Sequence, residues 1–275
     1  MRSILATIAL EPRRWVRPRI PAMTLHYLLP HIAAAGITQV EAWQWHVSRL
    51  DLEDAALVRK TADELGITFP YIGVYPSFHL PDGPDAVAAR AERFGLIERA
   101  RILGCSRFKI MLGMRKASEI TEEEMARHNE RFAEWYGACT AVGIRLVTEL
   151  HGGTLFDPWE KGAEWMAAHP EFDMGICYQP YDFSDPKKAL ELAAVFSGKI
   201  EHIHLQSPVA NGAYSLLADS PLNYAALLPA IMARNPKATM TIEFVKDCVQ
   251  TGAFQLASVV QNAREDALFV EKVLS

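Results

Sequence analysis

Four positions spread over a hundred residues carry side chains that a divalent cation would select: Glu149, Gln179, His204 and Glu243. Two carboxylates, an amide oxygen and an imidazole make three hard donors and one nitrogen. That set suits Mn²⁺, Mg²⁺ or Co²⁺ better than a structural zinc, which usually takes thiolates. Glu149 is the residue most in need of a partner. It lies in the stretch IRLVTELHGGTLFD at 144–157, where an apolar run delivers a carboxylate and His151 to a glycine-rich turn. On an alternating strand Val147 and Glu149 share one face, so the run carries a charge into a space that Val147 marks as interior. An unpaired carboxylate there costs several kcal/mol, and something positive should meet it. The plainer alternatives are a core ion pair and a solvated glutamate at a strand end. For the fourth donor Gln179 comes first, with Asp182 or Cys177 as substitutes.

These groups need a scaffold that brings distant strand ends together. Short β-rich runs at 4–10, 37–43, 67–74, 107–112, 144–150, 172–178, 200–205 and 239–245 alternate with amphipathic stretches near 24–35, 51–65, 84–103, 121–142, 157–168, 185–196, 223–234 and 254–273. Thr121 with Glu124 reads as a capping box, Pro84 suits a first helical turn, and Ser184 can cap before Asp185-Pro186. Gly36, Gly66, Gly104 and Gly143 stand where left-handed caps would end helices. Eight βα units in a 275-residue chain predict an α/β fold of the closed (β/α)8 TIM barrel type, one domain over 1–275, with an open doubly wound sheet as runner-up.

A barrel places chemistry at its strand C-termini. Standing there are Glu41, Trp43 and His46 after the second strand, His79 after the third, Lys109 on the fourth, and Glu149 and His151 on the fifth. Cys177, Gln179 and Asp182 follow on the sixth, His202, His204 and Gln206 on the seventh, and Glu243 on the eighth. Glu41, His79, Lys109, His151, Asp182 and Gln206 are the expected substrate contacts, each weighed against an ordinary structural role. His202 shares a face with His204 but lies deeper, which favours a satisfied core histidine. Trp43, Trp45 and Phe78 either stack on a bound ring or pack. The longest connection, 206–222, is a candidate lid with a turn at Asn211-Gly212.

Composition excludes other classes. A net charge of -5 gives no basic field for a phosphate backbone, so nucleic acid is not an expected partner. The apolar run at 4–10 is too short for a membrane span and is followed by Glu11, Arg13 and Arg14, which suits a first strand better than a signal peptide. Cys105, Cys139, Cys177 and Cys248 show no paired spacing, which fits a reducing cytoplasm.

ELHGGT at 149–154, IEHIHL at 200–205, PLNY at 221–224 and TIE at 241–243, with GITQVEAW at 36–43, resemble segments of the sugar phosphate isomerase/epimerase family of xylose isomerase-like TIM barrels. The resemblance spans nearly the whole chain. It implies a divalent metal, commonly Mn²⁺, held by the glutamate of strand five, an acid on strand six, the histidine of strand seven and the glutamate of strand eight. By position these are Glu149, Gln179, His204 and Glu243. Gln179 departs from the family, which usually has aspartate there, and Asp182 stands where a histidine is often found. Losing one ligand charge should weaken the metal.

The expected chemistry follows from such an ion. Chelating a carbonyl and the neighbouring hydroxyl acidifies the C–H between them and stabilises the enediolate, while a carboxylate on either face moves the proton. Glu149 and Glu243 are the natural catalytic pair, and the partner is a small-molecule sugar or keto-sugar; homo-oligomerisation is left open. Return of the proton gives isomerisation or epimerisation; loss of a β-leaving group makes a lyase acting on a keto-sugar, keto-inositol or keto-glycoside. A degenerate barrel serving as a binding subunit, suggested by Gln179, would hold no metal. An apurinic endonuclease-like reading would need a basic face that the chain lacks.

Overall fold

The computed structural model describes residues 3–209, 212–249 and 254–275. Eight parallel strands close in chain order: β1 (Ile4–Ala6), β2 (Gln39–Trp43), β3 (Thr68–Val74), β4 (Arg107–Ile110), β5 (Arg145–Glu149), β6 (Gly175–Tyr178), β7 (Ile200–Leu205) and β8 (Thr239–Ile242). The seam is made by β1, where Leu5 pairs with Val40 on one side and Ile242 on the other. Helices α1 (Leu25–Ala34), α2 (Gln44–Ser48), α3 (Leu52–Glu64), α4 (Pro84–Leu103), α5 (Glu122–Ala141), α6 (Trp159–Ala168), α7 (Pro186–Val195), α8 (Tyr224–Met232) and α9 (Leu256–Leu274) alternate with them. The closed (β/α)8 barrel is therefore the fold, and the open sheet is excluded. No helix among the described residues is long and apolar enough to cross a membrane.

Local signals act as their chemistry demands. Thr121 and Glu124 form a reciprocal capping box, and Pro84 opens α4. Gly66 and Gly104 hold φ of 66° and 71° just past α3 and α4, a region costly for a residue with a Cβ. The cap of α7 falls one residue later than expected. Asp185 Oδ1 accepts from the Lys187 and Lys188 amides, while Ser184 donates its hydroxyl to Asp182. β1 stops at Ala6 because Thr7 turns into a 3-10 segment, Thr7–Leu10, its hydroxyl taking the Trp43 amide at 2.9 Å and meeting His46 Nδ1 at 2.8 Å. The short α2 was not expected from periodicity.

Inside the barrel the residues lie in tiers. Ile4, Tyr71, Val147 and Cys177 form a lower apolar plug, separate from the main core between strands and helices. One step further along the strands the same alternation puts Glu149 two residues beyond Val147, Gly73 beyond Tyr71, and His204 beyond His202. Gly73 is a close-approach position. A Cβ there would stand 3.0 Å from Glu41 Oε1 and 3.4 Å from Lys109 Cε.

The described parts of the connection at 206–222 are pinned rather than free. The Ser215 amide donates to the Ser207 carbonyl, Val209 donates to Ala213, and Tyr224 Oη donates to the Gln206 carbonyl at 2.8 Å. Asn211, half of the expected turn, lies outside the described residues; Gly212 has a φ of 71°. The segment is also fastened to α9, where Asp266 Oδ1 accepts the Leu217 amide at 2.7 Å while Oδ2 is buried without a partner. Burial pushes the Asp266 carboxyl up from 3.8 to about 7.

The sign of that shift yields a prediction. Between the two values the folded chain keeps a proton that the unfolded chain has released. The stability associated with Asp266 is therefore present at low pH and falls as pH rises through about 7. Relative to wild type, Asp266→Asn should gain several degrees in Tm between pH 5 and pH 8, and parallel pH profiles for the two proteins would show that Asp266 does not titrate in this window.

Candidate active site

Glu149 ends β5 with only 1% of its surface exposed, and Lys109 meets it, Nζ standing 2.8 Å from Oε2 with both side chains buried. The expected positive partner is thus supplied first by the chain itself. Burial alone would favour the neutral forms. The opposed charges outweigh it, holding the Glu149 carboxyl well below the usual range and the Lys109 ammonium well above.

The other carboxylate oxygen, Glu149 Oε1, faces a second group of donors. His204 Nδ1 lies 3.2 Å from it and 3.3 Å from Glu243 Oε2, yet Nδ1 makes a hydrogen bond to neither. The Gln179 amide oxygen accepts from Gln206 Nε2 at 2.8 Å and points at the same two carboxylates, 3.2 Å from Glu149 Oε1 and 3.1 Å from Glu243 Oε2. Gln206 Nε2 also donates to Glu243 Oε2 at 3.1 Å. Three electron-rich oxygens and an unsatisfied imidazole nitrogen are gathered around one point, an arrangement that repels itself unless a cation or protons lie among them. Turning the Gln179 amide over would let its NH₂ serve both carboxylates, but would set it against the Gln206 donor 2.8 Å away. The residues fit a divalent ion, and the orientation of Gln206 decides which face Gln179 shows it.

Glu41 completes the constellation from across the barrel. Its Oε2 is 3.1 Å from His204 Nε2 and 3.2 Å from His202 Nε2. Although burial opposes ionisation, the two histidines hold Glu41 well below the usual carboxylate range, so it only accepts and both Nε2 atoms carry the proton. His204 Nδ1 is then the free nitrogen, and a histidine that gives its far N–H to a carboxylate is the usual arrangement of a metal ligand. His204 as it stands is driven upward in pKa by the surrounding carboxylates against the opposing effect of burial. The Cys177 thiol contributes no charge of its own near neutral pH, since burial lifts it to about 11.

Several expected groups are placed elsewhere. His202 is a satisfied interior residue: its Nδ1 meets Thr239 Oγ1 at 2.7 Å, its ring stacks on Tyr71 at 3.9 Å, and burial lowers its pKa to about 4. Cys177, His202 and His204 also have converging ligand atoms, but the neutral thiol and the engaged His202 leave the Glu149, His204, Glu243 group as the competent one. Asp182 does not face the cluster; it is bonded to Ser184 and stands 3.8 Å from Lys188. His151 Nδ1 pairs with the adjacent Gly152 carbonyl, and His46 is buried against Thr7 and Glu11. Trp43 and Phe78 are core residues, whereas Trp45 and His79 line a pocket at the strand C-termini. Tyr75 is the participant that sequence reading missed. Its ring lies 4.8 Å from Lys109 Nζ, and its backbone amide donates to Gln44 Oε1.

A family description, "Xylose isomerase-like TIM barrel", matches residues 29–265. Among solved structures, the probable 3-DHS dehydratase AsbF involved in petrobactin synthesis from Bacillus anthracis superposes with a TM-score of 0.71 at 13% identity, covering 98% of this chain and 99% of that one. D-psicose 3-epimerase, solved in the presence of D-fructose, gives 0.71 at 16% identity over 100% and 99%. A xylose isomerase-like TIM barrel protein from Mycobacterium smegmatis in complex with magnesium gives 0.67 at 13% identity over 99% and 98%. At these identities the likeness is one of fold. No curated protein matches the chain by sequence.

The amide pair can be tested without a substrate. Gln206→Leu removes the donor that keeps the Gln179 oxygen turned inward, so Mn²⁺ affinity measured by calorimetry should fall about 10-fold or more. Gln179→Asp, which adds a charged oxygen, should tighten it. Unchanged affinity in both variants would place Gln179 outside the coordination shell.

Proposed function

The chain belongs to the xylose isomerase-like TIM barrel family, and we propose that it is a divalent-metal-dependent isomerase or epimerase of a sugar or keto-sugar. The observation that carries this reading is His204 Nδ1, buried and without a hydrogen bond between two carboxylates and an amide oxygen. Glu149, Gln179, His204 and Glu243 would hold the ion, with Mn²⁺ favoured by three oxygen donors and one nitrogen. The epimerase neighbour in the presence of D-fructose and the magnesium-bound neighbour lend it support. Four free, buried cysteines fit a protein of the reducing cytoplasm.

When bound, the ion supplies a Lewis acid that acidifies the C–H beside a carbonyl. The two glutamates divide the proton work unequally. Glu149 has Lys109 on Oε2 and His204 beside Oε1, which makes it the weaker base. Glu243 takes Gln206 on Oε2 and leaves Oε1 without a hydrogen bond among the described residues, so that oxygen is the one free to remove a proton. Glu149 approaches from another strand with its Oε2 held by Lys109 at 2.8 Å, so the proton on the opposite face falls to this carboxylate–ammonium pair acting together. Glu41 keeps the His204 ring in register by holding Nε2–H.

A lyase on a keto-sugar, keto-inositol or keto-glycoside is the second reading. Lys109 favours it, because a buried ammonium beside the site is also a proton donor for a departing hydroxyl. Mass spectrometry separates the two: an isomeric product supports the first, and loss of water or an aglycone the second.

Glu149→Gln and Glu243→Gln each keep a coordinating oxygen, so both proteins should retain Mn²⁺ while losing turnover roughly 10²-fold or more. With an identified substrate in D₂O, neither should incorporate deuterium beside the carbonyl at the wild-type rate. A wild-type protein that stays metal-free after Mn²⁺ incubation would sink the metal-dependent reading outright.

A further inference from the structure

A pocket of about 410 Å³ opens at the strand C-termini, lined among others by Arg17, Arg19, Trp45, Tyr75, Ser77 and His79. Tyr75 is a shared wall: one face of the pocket on one side, and the Lys109–Glu149 pair 4.8 Å from its ring on the other. The pocket therefore adjoins the Lys109–Glu149 pair, one aromatic ring away. Its charge is one-sided. Neither Arg17 nor Arg19 makes an ion pair among the described residues, and Arg19 Nε is buried without a hydrogen-bond partner. The nearest acid on that loop, Glu11, is consumed by the backbone amides of Arg13, Ala22 and Met23.

The arginine is nonetheless held in place. Its guanidinium lies 4.4 Å over the Trp45 ring, and Trp45 is stacked on Tyr75 at 5.1 Å with 25° between planes. The loop that carries it is anchored by Arg14, which donates to the carbonyls of Ile8, Ala9 and Cys248. Two neighbouring cations with no acid of their own, in a chain with 33 acidic and 28 basic residues, are positioned for an anion from outside.

We propose that this pocket binds an anionic end of the substrate, a carboxylate or a phosphate, on the guanidinium groups of Arg17 and Arg19 while the carbonyl end reaches the Glu149–His204–Glu243 cluster. The proposal rests on the metal-dependent reading of that cluster. It narrows the substrate from sugars in general to acidic ones: a uronate-type keto acid or a sugar phosphate. The planar guanidinium matches either anion bidentately, and no glycine-rich cradle is needed. His79 and Ser77 add donors at the rim.

Three hydroxamates that share a metal-chelating head decide it by calorimetry on the Mn²⁺-loaded chain. Acetohydroxamate has a neutral tail, succinic monohydroxamate a carboxylate and phosphoglycolohydroxamate a phosphate. One anionic compound should bind about 10-fold or more tightly than the neutral one, a factor expected for a charge-assisted hydrogen bond. The stronger of the two names the anion. Arg17→Gln with Arg19→Gln should erase the gain and leave acetohydroxamate affinity unchanged. Equal affinity for all three compounds overturns the proposal. If no hydroxamate binds, the metal-dependent reading falls, and the pocket is then judged on the metal-free protein: a saturable change in tryptophan fluorescence with succinate or inorganic phosphate at constant ionic strength, absent from Arg19→Gln, supports it, and no change overturns it.

Discussion

Everything at the mouth of this barrel is arranged around charge that has been taken out of water. Glu41, Glu149 and Glu243 are each at most 6% exposed, against Lys109 and His204 as the interior cations. Three carboxylates facing one ammonium and one imidazolium leave a negative charge uncompensated even when His204 is protonated. Replacing that proton by a dication balances the group. Buried charges are stable only when paired and hydrogen-bonded, so this imbalance sets the local design: Gly73 thinned to let Glu41 and Lys109 approach, His202 spent on holding Glu41, Gln206 spent on turning an amide.

The glutamine on strand six is the departure from the family pattern that the charges make intelligible. An aspartate at 179 would add a fourth carboxylate to a pocket already one charge in excess. A neutral oxygen avoids that repulsion, but an amide has two faces, and only one of them suits a cation. With the Gln206 amide as placed, its NH₂ donates to that oxygen and turns it toward the carboxylates. The degenerate-barrel alternative draws on Gln179 taken alone; beside Gln206, the same residue presents an amide oxygen to the two carboxylates.

Much of the fold and part of the site were legible in the sequence. Alternation around Val147 and Glu149 placed a carboxylate inside, and repeated strand–helix periods with glycines after helices gave the barrel, because these are local signals. What stayed hidden was pairing between distant segments. Glu41 meets His202 and His204 across 161 and 163 residues, and nothing near any of the three announces the others. Tyr75 and the arginines at 17 and 19 were passed over for a related reason: a Pro- and Arg-containing loop reads as surface until Arg14, fixed to the Cys248 carbonyl, holds it over the barrel. Ser184 lost the cap of α7 to Asp185 because two acceptors competed and the carboxylate is the stronger.

The seam between β1 and β8 has a consequence for how the molecule comes into being. Leu5 and Ile242 are neighbours in space and 237 residues apart in the chain, whereas Lys109 and Glu149 sit on nearby strands only 40 residues apart. Closing a short loop costs less chain entropy than closing a long one, so the lysine–glutamate pair is a local contact and the ring seam a distant one. Glu149 thus draws its neutralising partner from the adjacent strand, whereas Glu41 reaches His204 only across 163 residues of chain.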